Sequence, residues 1–590
     1  MSLGQPSWRS LLTGRQWRLR AVSGERAAQL ARELGCSAPL ATVLAARAAD
    51  RPQELLDHSL AALASPWSLL GLDKAVHRLM RALQRGERIF IQGDFDVDGL
   101  TSTALLYRGL QKLGAKEIKV DLSDRERGHG LSPPVVQRLI TEGFQLLITA
   151  DCGTSDGEFI QTLQDHRIDV IITDHHRPPE RLPPAYAIVN PRQPGCPYVY
   201  KDLAAVGVAF QVLRGLYERC GQPPSACEEF LDLVLVGTIG DLVPLVRDGL
   251  AENQRLVANG LRCLAAGRGS SLGLRVLIKK LGLDVRHLSP GDFSYIIVPK
   301  LNAANRVGDP RVAFLLLTTQ DPQRADFLAS TLLAYNQDRQ IAQDDLLFQA
   351  EELLRREPGW QEAPLIFLAG RYWNPGLLGL VASELAEKHH RPAIIVALGD
   401  EISRASCRSV PGFDIALALE EHRDLLERYG GHAMAAGFSI RNEKIPLLRE
   451  RLRDYARALL PQRAQPIYEF EAELSPQELT LEVYYDLQRL APFGIGHPEP
   501  RFLLRGARIQ QWRTVGTNGD HLKCLIEAGG QTFPAIGFSL GEHALLLEEH
   551  QTLDLIFKLG CDTWSGRPQI QLEIEDILAP QAQELERPDL

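Results

Sequence analysis

RIFIQGDFDVDG, residues 88–99, is the stretch on which the fold turns. Three apolar residues, Ile89, Phe90 and Ile91, run into three aspartates at alternating positions, Asp94, Asp96 and Asp98, and then into Gly99 and a helical pattern. An apolar run this short predicts a strand buried on both faces, the kind found in parallel sheets covered by helices. Outward from it, runs at 118–120, 146–148, 170–172 and 233–236 repeat the pattern with longer helical stretches between them. That alternation predicts an α/β fold with a mostly parallel sheet.

Four of these predicted strands end in acidic or imidazole groups: Asp94, Asp96 and Asp98; then Asp151; then Asp174, His175 and His176; then Asp241. Ligands of open parallel sheets lie outside the carboxyl ends of the strands, so these side chains are expected to meet in space. Clustered carboxylates repel one another unless cations neutralise them. Oxygen ligands with one or two imidazoles suit Mn2+ or Mg2+, and a pair of such ions about 4 Å apart hydrolyses phosphoesters. A single Asp after a strand is more often a helix N-cap, and the recurrence at four ends argues against that for the set. An EF-hand loop beginning at Asp94 fails, because its twelfth position is Leu105 rather than Glu.

The rest of the chain supplies context. The 590 residues carry a formal charge of −9, with 45% hydrophobic and 24% charged residues, which excludes a disordered or collagen-like chain. Residues 465–590 hold 9 basic and 20 acidic side chains, so the acidity sits at the C-terminal end. The nine cysteines have no regular spacing, which predicts free thiols in a reducing cytoplasm. No run predicts a membrane span or a secretory signal. The first 80 residues read mainly as helix. Residues 321–358 read as one long connecting helix or a broken pair, since no glycine or proline lies between Pro322 and Pro358. A second α/β unit follows to about 460, and short strands with glycine-rich turns beyond 466 predict a small barrel.

GDFDVDG, ADCGT, TDHH and GTIGDLVPL, in this order, resemble the DHH phosphoesterase superfamily. PKLNAANR (299–306), LAYNQDRQ (333–340), SCRS (406–409), GGHAMAAG (430–437) and LAPFGIGHPEP (490–500) narrow the resemblance to its RecJ branch, single-strand-specific 5′→3′ DNA exonucleases. After the N-terminal helical segment (1–80), the resemblance implies a DHH domain (81–320), a connecting helix (321–358), a DHH-associated domain (359–460) and an OB-type barrel (466–580). It implies two divalent cations, Mn2+ or Mg2+, held by Asp96, Asp98, Asp151, His175 and Asp241, with Asp94 an extra ligand or an outer group. His176 is implied beside the metals, so that His176, Asp151 and His175 carry the chemistry. Ser406, Arg408, Ser409 and His432 are implied at the strand's 5′ end, with Asn302, Arg306 and, in LSDRERGHG, Arg125 lining the channel.

The implied substrate is single-stranded DNA with a 5′ end, degraded to 5′-mononucleotides in repair and recombination, with a single-strand-binding protein and a RecQ-type helicase as partners. Departures from the family pattern occur at Gln92, Asp124, Asn305 and Asn374. In the barrel, Phe502 and Trp512 with Arg501, Arg505, Arg508, Arg513 and Lys523 are expected to form a surface that stacks bases. Two rivals stay open at this point: a phosphodiesterase of the same superfamily acting on oligoribonucleotides or cyclic dinucleotides, and an inactive scaffold homologue in a replication complex.

Overall fold

A computed structural model of the chain describes residues 7–12, 14–48, 50–124, 128–460, 467–516, 518–547, 552–562 and 566–578. It divides into two compact units, Ala64–Val243 with Asn259–Ala464, and Met1–Leu63 with Pro244–Ala258 and Gln465–Leu590. Among the described residues, no helix is long and apolar enough to cross a membrane.

The larger unit contains two sheets. The first comprises β1 (Arg88–Gly93), followed by helix α1 (Val97–Lys112), then β2 (Glu117–Leu122), β3 (Leu146–Ala150), β4 (Asp169–Thr173) and β5 (Ala187–Val189). Its order is β2-β1-β3-β4-β5 and every pairing is parallel. Ile89, Phe90, Ile91 and the whole of β3 are buried, as strands covered on both faces must be. The register pairs Gly93 with Ala150 and Ala150 with Thr173, so the residues that follow, Asp94, Asp151 and Asp174, leave the sheet at one edge.

Helices α2 (Ala205–Arg219) and α3 (Leu231–Gly240) pack against α1. The run at 233–236, expected as a strand, lies inside α3 and is fully buried. A continuous apolar run has no period by which to tell a core strand from a core helix. A helix that is apolar all round belongs in an interior, and Gly237 lets this one come close. A Cβ there would stand 2.3 Å from Thr101 Oγ1 and 2.9 Å from Asp98 Oδ1.

After α4 (Val298–Val307) comes α5 (Pro322–Arg356), a single helix of 35 residues, or about 52 Å at 1.5 Å per residue. It starts with Asp321 as N-cap, accepting from Gln323 N at 2.9 Å, and Pro322 in the first turn. The second sheet contains β6 (Ile366–Arg371), β7 (Ala393–Leu398) and β8 (Ile402–Arg408), with α6 (Leu378–His389) after β6. Helix α7 (Ile415–Glu421), strands β9 (Leu426–His432) and β10 (Ala435–Arg441) and helix α8 (Ile445–Leu459) complete it. The order is β9-β10-β8-β7-β6, with only the β6–β7 pair parallel.

In the smaller unit, five strands close a barrel. The strand Phe502–Val515 pairs with both His521–Ala528 and Thr552–Asp562; Gln531–Gly537 and Gln569–Leu578 complete the ring. The N-terminal segment is not purely helical. Ser7–Arg9 and Gln16–Leu19 form a hairpin, and the latter runs parallel to Ile467–Phe470. These strands are too short for a clear period-two pattern, and their stability comes from the barrel. Trp17 is fully buried, its Nε1 donating to Asp576 Oδ2 at 2.8 Å, and Ser10 Oγ donates to Asp576 Oδ1 at 2.6 Å.

The helix Ala38–Ala48 adds a buried ion pair. Arg47 Nη2 lies 2.5 Å from Glu471 Oε1, each side chain 6% exposed, and Arg47 Nη1 donates to Pro498 O. Removing one partner strands a buried charge, at a cost of about 3–5 kcal/mol. Glu471→Ala is therefore expected to destabilise this unit by that amount in a denaturant titration; a loss below about 1 kcal/mol would reject the pair as a structural anchor.

Three members of the stacking surface expected on the barrel, Phe502, Arg501 and Arg505, do not stand as read. Phe502 is a core residue, fully buried with its ring 6.1 Å from that of Phe557. Arg501 and Arg505 are paired with Glu575 and Glu473 at 3.3 and 2.9 Å. Phe502 opens a strand whose alternation turns its side chain inward, and local carboxylates neutralise the arginines.

Candidate metal and phosphate site

The carboxyl edge of the first sheet collects the acidic side chains. Asp96 is the N-cap of α1, its Oδ1 accepting from Asp98 N at 3.0 Å and Gly99 N at 3.1 Å. Asp98 sits in the first turn with no exposure, accepting from Ala205 N and Val206 N at the start of α2 at 2.6 and 2.9 Å. Asp151 follows β3 with φ of 65°, a left-handed conformation that non-glycine residues rarely adopt and that persists where surrounding structure enforces it. His175 and His176 follow β4, and Asp241 caps the end of α3.

These groups meet. His175 Nε2 is 3.3 Å from Asp151 Oδ1, and His175 Nδ1 is 3.6 Å from Asp241 Oδ2. Potential ligand atoms of Asp98, His175 and Asp241 lie within 4.8 Å of one another, as do those of Asp151, His175 and His176, and of Asp94, Asp96 and Asp151. Asp151 Oδ1, His175 Nδ1 and Asp241 Oδ2 are buried and have no hydrogen-bond partner. Buried polar atoms are normally satisfied, and three orphaned ligand atoms in one cluster fit divalent cations with oxygen and imidazole donors.

The electrostatics agree. Burial, then the charge of Asp96, pushes Asp98 up to about 7. Burial and the neighbouring aspartates raise Asp151 and Asp241 well above the ordinary carboxylate range, and burial with Asp94 raises Asp96. Burial, aided by the charge of His176, lowers His175 to about 3, so its imidazole is neutral and able to ligate. For His176, burial opposes the charge, but the hydrogen bond to Asp174 and nearby carboxylates win and raise it to about 9. Asp174 itself is committed to structure. Its Oδ1 accepts from the backbone amides of His175 and His176 and from His176 Nδ1 at 2.8 Å, and its Oδ2 accepts from Thr154 N.

Asp94 differs from the others, since both carboxylate oxygens engage protein donors. Ser123 Oγ donates to Oδ1, and His129 Nδ1 lies 2.9 Å from Oδ2. The sequence reading passed over His129. Its signal is its place between Gly128 and Gly130, both at positive φ, which turn the loop back toward Asp94. Asn305 was read only as a departure from the family pattern. Its Nδ2 donates to Phe95 O at 3.0 Å and to Asn302 Oδ1 at 3.3 Å, tying α4 to the aspartate loop.

The second sheet faces this cluster. The rings of His176 and His432 stack with centroids 6.2 Å apart and 12° between planes. Arg408 and Ser406 share a face of β8 with Arg408 Nη1 3.4 Å from Ser406 Oγ, and burial lowers the arginine's pKa. Gly379 on α6 admits both, because a Cβ there would lie 2.9 Å from Arg408 Nη2 and 3.0 Å from Ser406 Oγ. Arg306 Nη1 donates to Gly376 O at 2.8 Å, and Asn374 Oδ1 accepts from Gly376 N. Ser409 is turned inward, its hydroxyl donating to Phe413 O at 2.6 Å. Arg125 lies outside the described residues. Gly430 and Gly431 belong to β9.

Comparison with known proteins completes the picture. Three family models match: the DHH family, N-terminal domain, over residues 88–238; the DHHA1 domain over 362–458; and the RecJ OB domain over 470–576. The single-stranded-DNA-specific exonuclease RecJ of Bacillus subtilis is 33% identical over 95% of this chain and 70% of its own. The crystal structure of RecJ in complex with Mn2+ from Thermus thermophilus is similar at 32% identity, with a TM-score of 0.81 over 96% of this chain and 80% of that one. The Mg2+ complex from the same organism gives 31% identity and a TM-score of 0.76 over 96% of this chain and 79% of that one. The fold read from the sequence is thus the observed one, and the chain belongs to the RecJ family.

Proposed function

We propose that this protein is a single-stranded-DNA-specific exonuclease that works from the 5′ end and releases 5′-mononucleotides in DNA repair and recombination. The observation that carries the reading is the trio of buried, unpartnered atoms on Asp151, His175 and Asp241, opposite an arginine and a histidine on a second sheet. Asp96, Asp98, Asp151, His175 and Asp241 would hold two Mn2+ or Mg2+ ions. When bound, these ions would activate water and offset charge on the reacting phosphate. Asp94 orients the loop from outside the cage, held there by Ser123 and His129.

The remaining work falls to the chain's own groups. His176, kept cationic by Asp174, faces the gap between the sheets, where it can donate to a phosphate oxygen or to the departing 3′ oxygen. Arg408, Ser406 and His432 bind the terminal 5′ phosphate, with the guanidinium donating in pairs. Asn302 and Arg306 brace the floor between the two sheets. The nine free thiols suit a cytoplasmic location, and the family reading adds a single-strand-binding protein and a RecQ-type helicase as partners.

The test is digestion of one single strand carrying either a 5′ phosphate or a 5′ hydroxyl, with a 3′ label to follow direction. Shortening should begin at the 5′ end. Arg408→Ala should raise KM for the phosphorylated strand by about 100-fold, the loss of a charge-assisted pair, and change the hydroxyl strand far less. Shortening from the 3′ end, or equal loss on both strands, would reject the assignment.

A further inference from the structure

The segment between β5 and α2, residues 190–204, is tied to the aspartate cluster at both ends. At its start Asn190, fully buried, donates from Nδ2 to His176 O at 2.9 Å, and its Oδ1 accepts from Arg192 N at 2.8 Å. At its end the first amides of α2, Ala205 N and Val206 N, donate to Asp98. Between these anchors Tyr198 and Tyr200 are buried, and Tyr198 Oη accepts from Gln211 Nε2 on α2 at 2.9 Å. A loop pinned at one end to a proposed metal ligand and at the other to the neighbour of a second is a rigid arm, and Arg192 is carried on it.

The Arg192 guanidinium is held in one orientation. Its Nε donates to Lys201 O at 3.1 Å, and its Nη2 donates to Asp202 Oδ1 at 2.6 Å. Among the described residues Nη1 has no partner, and the side chain keeps 31% exposure. Three groups on three separate elements feel its charge. Burial, then the charge of His176, lowers His432, and Arg192 adds to that. Burial and His176 lower His175, with Arg192 acting the same way. Burial and the neighbouring aspartates raise Asp241, and Arg192 opposes them. A charge that acts at once on the end of β4, the end of α3 and the last residue of β9 stands at the gap between the two sheets.

A latch for the loop needs Lys201 and Asp202 alone. It does not need a guanidinium brought to the place where His176 is already cationic. Positive groups gathered around one gap repel one another until an anion lies between them. On the reading under Proposed function, the terminal 5′ phosphate sits at Arg408 and His432 and the scissile phosphodiester at the aspartate cluster. We propose, resting on that reading, that Arg192 is a further catalytic residue, its Nη1 donating to a non-bridging oxygen of the scissile phosphodiester. Arg408 would serve only a strand that carries a 5′ phosphate, whereas Arg192 would serve every bond that is cut.

The chemistry stays that of the ordinary cut. Water adds to the phosphorus of the second nucleotide, the bond from that phosphorus to the 3′ oxygen of the first breaks, and the 3′ oxygen takes a proton. The non-bridging oxygens carry charge through the transition state, and a donor already fixed beside them stabilises it without reorganising. Lys201 O and Asp202 set the guanidinium fork in advance, so little rotamer freedom is lost when the strand arrives.

The experiment uses the full chain saturated with Mn2+ and one oligodeoxynucleotide sequence with either a 5′ phosphate or a 5′ hydroxyl. Arg192→Ala should lower kcat about 100-fold on both strands, change KM by less than about threefold, and leave the number of Mn2+ ions bound in calorimetry as in wild type. Millimolar guanidinium added to Arg192→Ala should raise its kcat at least about tenfold, a recovery that a merely loosened loop would not give. Arg192→Lys, which keeps the charge and loses the fork, should fall about tenfold on both strands. A kcat for Arg192→Ala within about threefold of wild type would overturn the proposal, as would a loss confined to the phosphorylated strand, fewer bound Mn2+ ions, or no recovery with guanidinium. Should Arg192→Ala not fold, the lysine variant decides alone, and a wild-type kcat there would overturn the proposal. A wild-type protein that cuts neither strand would overturn the exonuclease reading beneath it.

Discussion

Asp151→Ala is expected to lower the rate of strand hydrolysis by at least about 10³-fold while leaving strand binding within a few-fold of wild type. Asp151 is shared by two of the three potential ligand groups, and one of its carboxylate oxygens is buried without a donor. Removing it takes a ligand from the proposed cage and leaves His175 without one of its two carboxylate neighbours. Losses of this size follow when a group that organises charge at a reacting phosphate is deleted. The proposed phosphate site at Ser406, Arg408 and His432 belongs to the other sheet and is untouched. Isothermal calorimetry with Mn2+ should show at least one fewer ion bound. A variant that keeps more than a tenth of the activity, or binds Mn2+ like wild type, would remove Asp151 from the site.

The second large effect concerns metal removal and pH. Without cations, folding holds Asp98 protonated up to about 7, whereas the unfolded chain ionises it near 3.8. The folded state then binds the extra proton, so stability falls as pH rises through that interval. For this one group the loss is about 4 kcal/mol. Asp151 and Asp241 act in the same direction. His176 adds a fall of its own, because stability from a histidine raised to about 9 is present below 6.5 and lost above 9; His175, lowered to about 3, acts the opposite way below 6.5 and offsets only part of the carboxylate contribution. Divalent cations reverse the carboxylate contribution by favouring the ionised form. Metal-free protein should therefore melt at progressively lower temperature from pH 5 to pH 8. Added Mn2+ should raise Tm by about 10 °C at pH 8 and by much less at pH 5. A metal-free Tm that is flat with pH, or a Mn2+ shift of equal size at both ends, would contradict the cage.

The parts of the molecule visible in the sequence share one physical trait: they are set by local pattern. The strands at Ile89, Leu146 and Val170 announce themselves as short apolar runs, and the aspartates that follow them meet because the register aligns Gly93, Ala150 and Thr173. Asp241 reaches the same place from a helix, and an uninterrupted apolar run offers no period from which to see that. His129 and Asn305 act through contacts with Asp94 and Phe95 across 35 and 210 residues, and no local pattern encodes them. The hairpin around Trp8 and Trp17 is stable only against the barrel strand that ends near Asp576, at the other end of the chain. Phe502 misled because an aromatic beside arginines looks the same in sequence whether its strand turns it inward or outward.

The stacked rings of His176 and His432 act as a gauge. On the proposed function, one would mark the edge where a bond is cut and the other the seat of a strand's leading end, and both are fixed within a single compact body. On that reading, a seat and a blade set that near each other would admit one nucleotide between them. The length of each fragment would then be decided by the spacing of the two sheets, with no base having to be read.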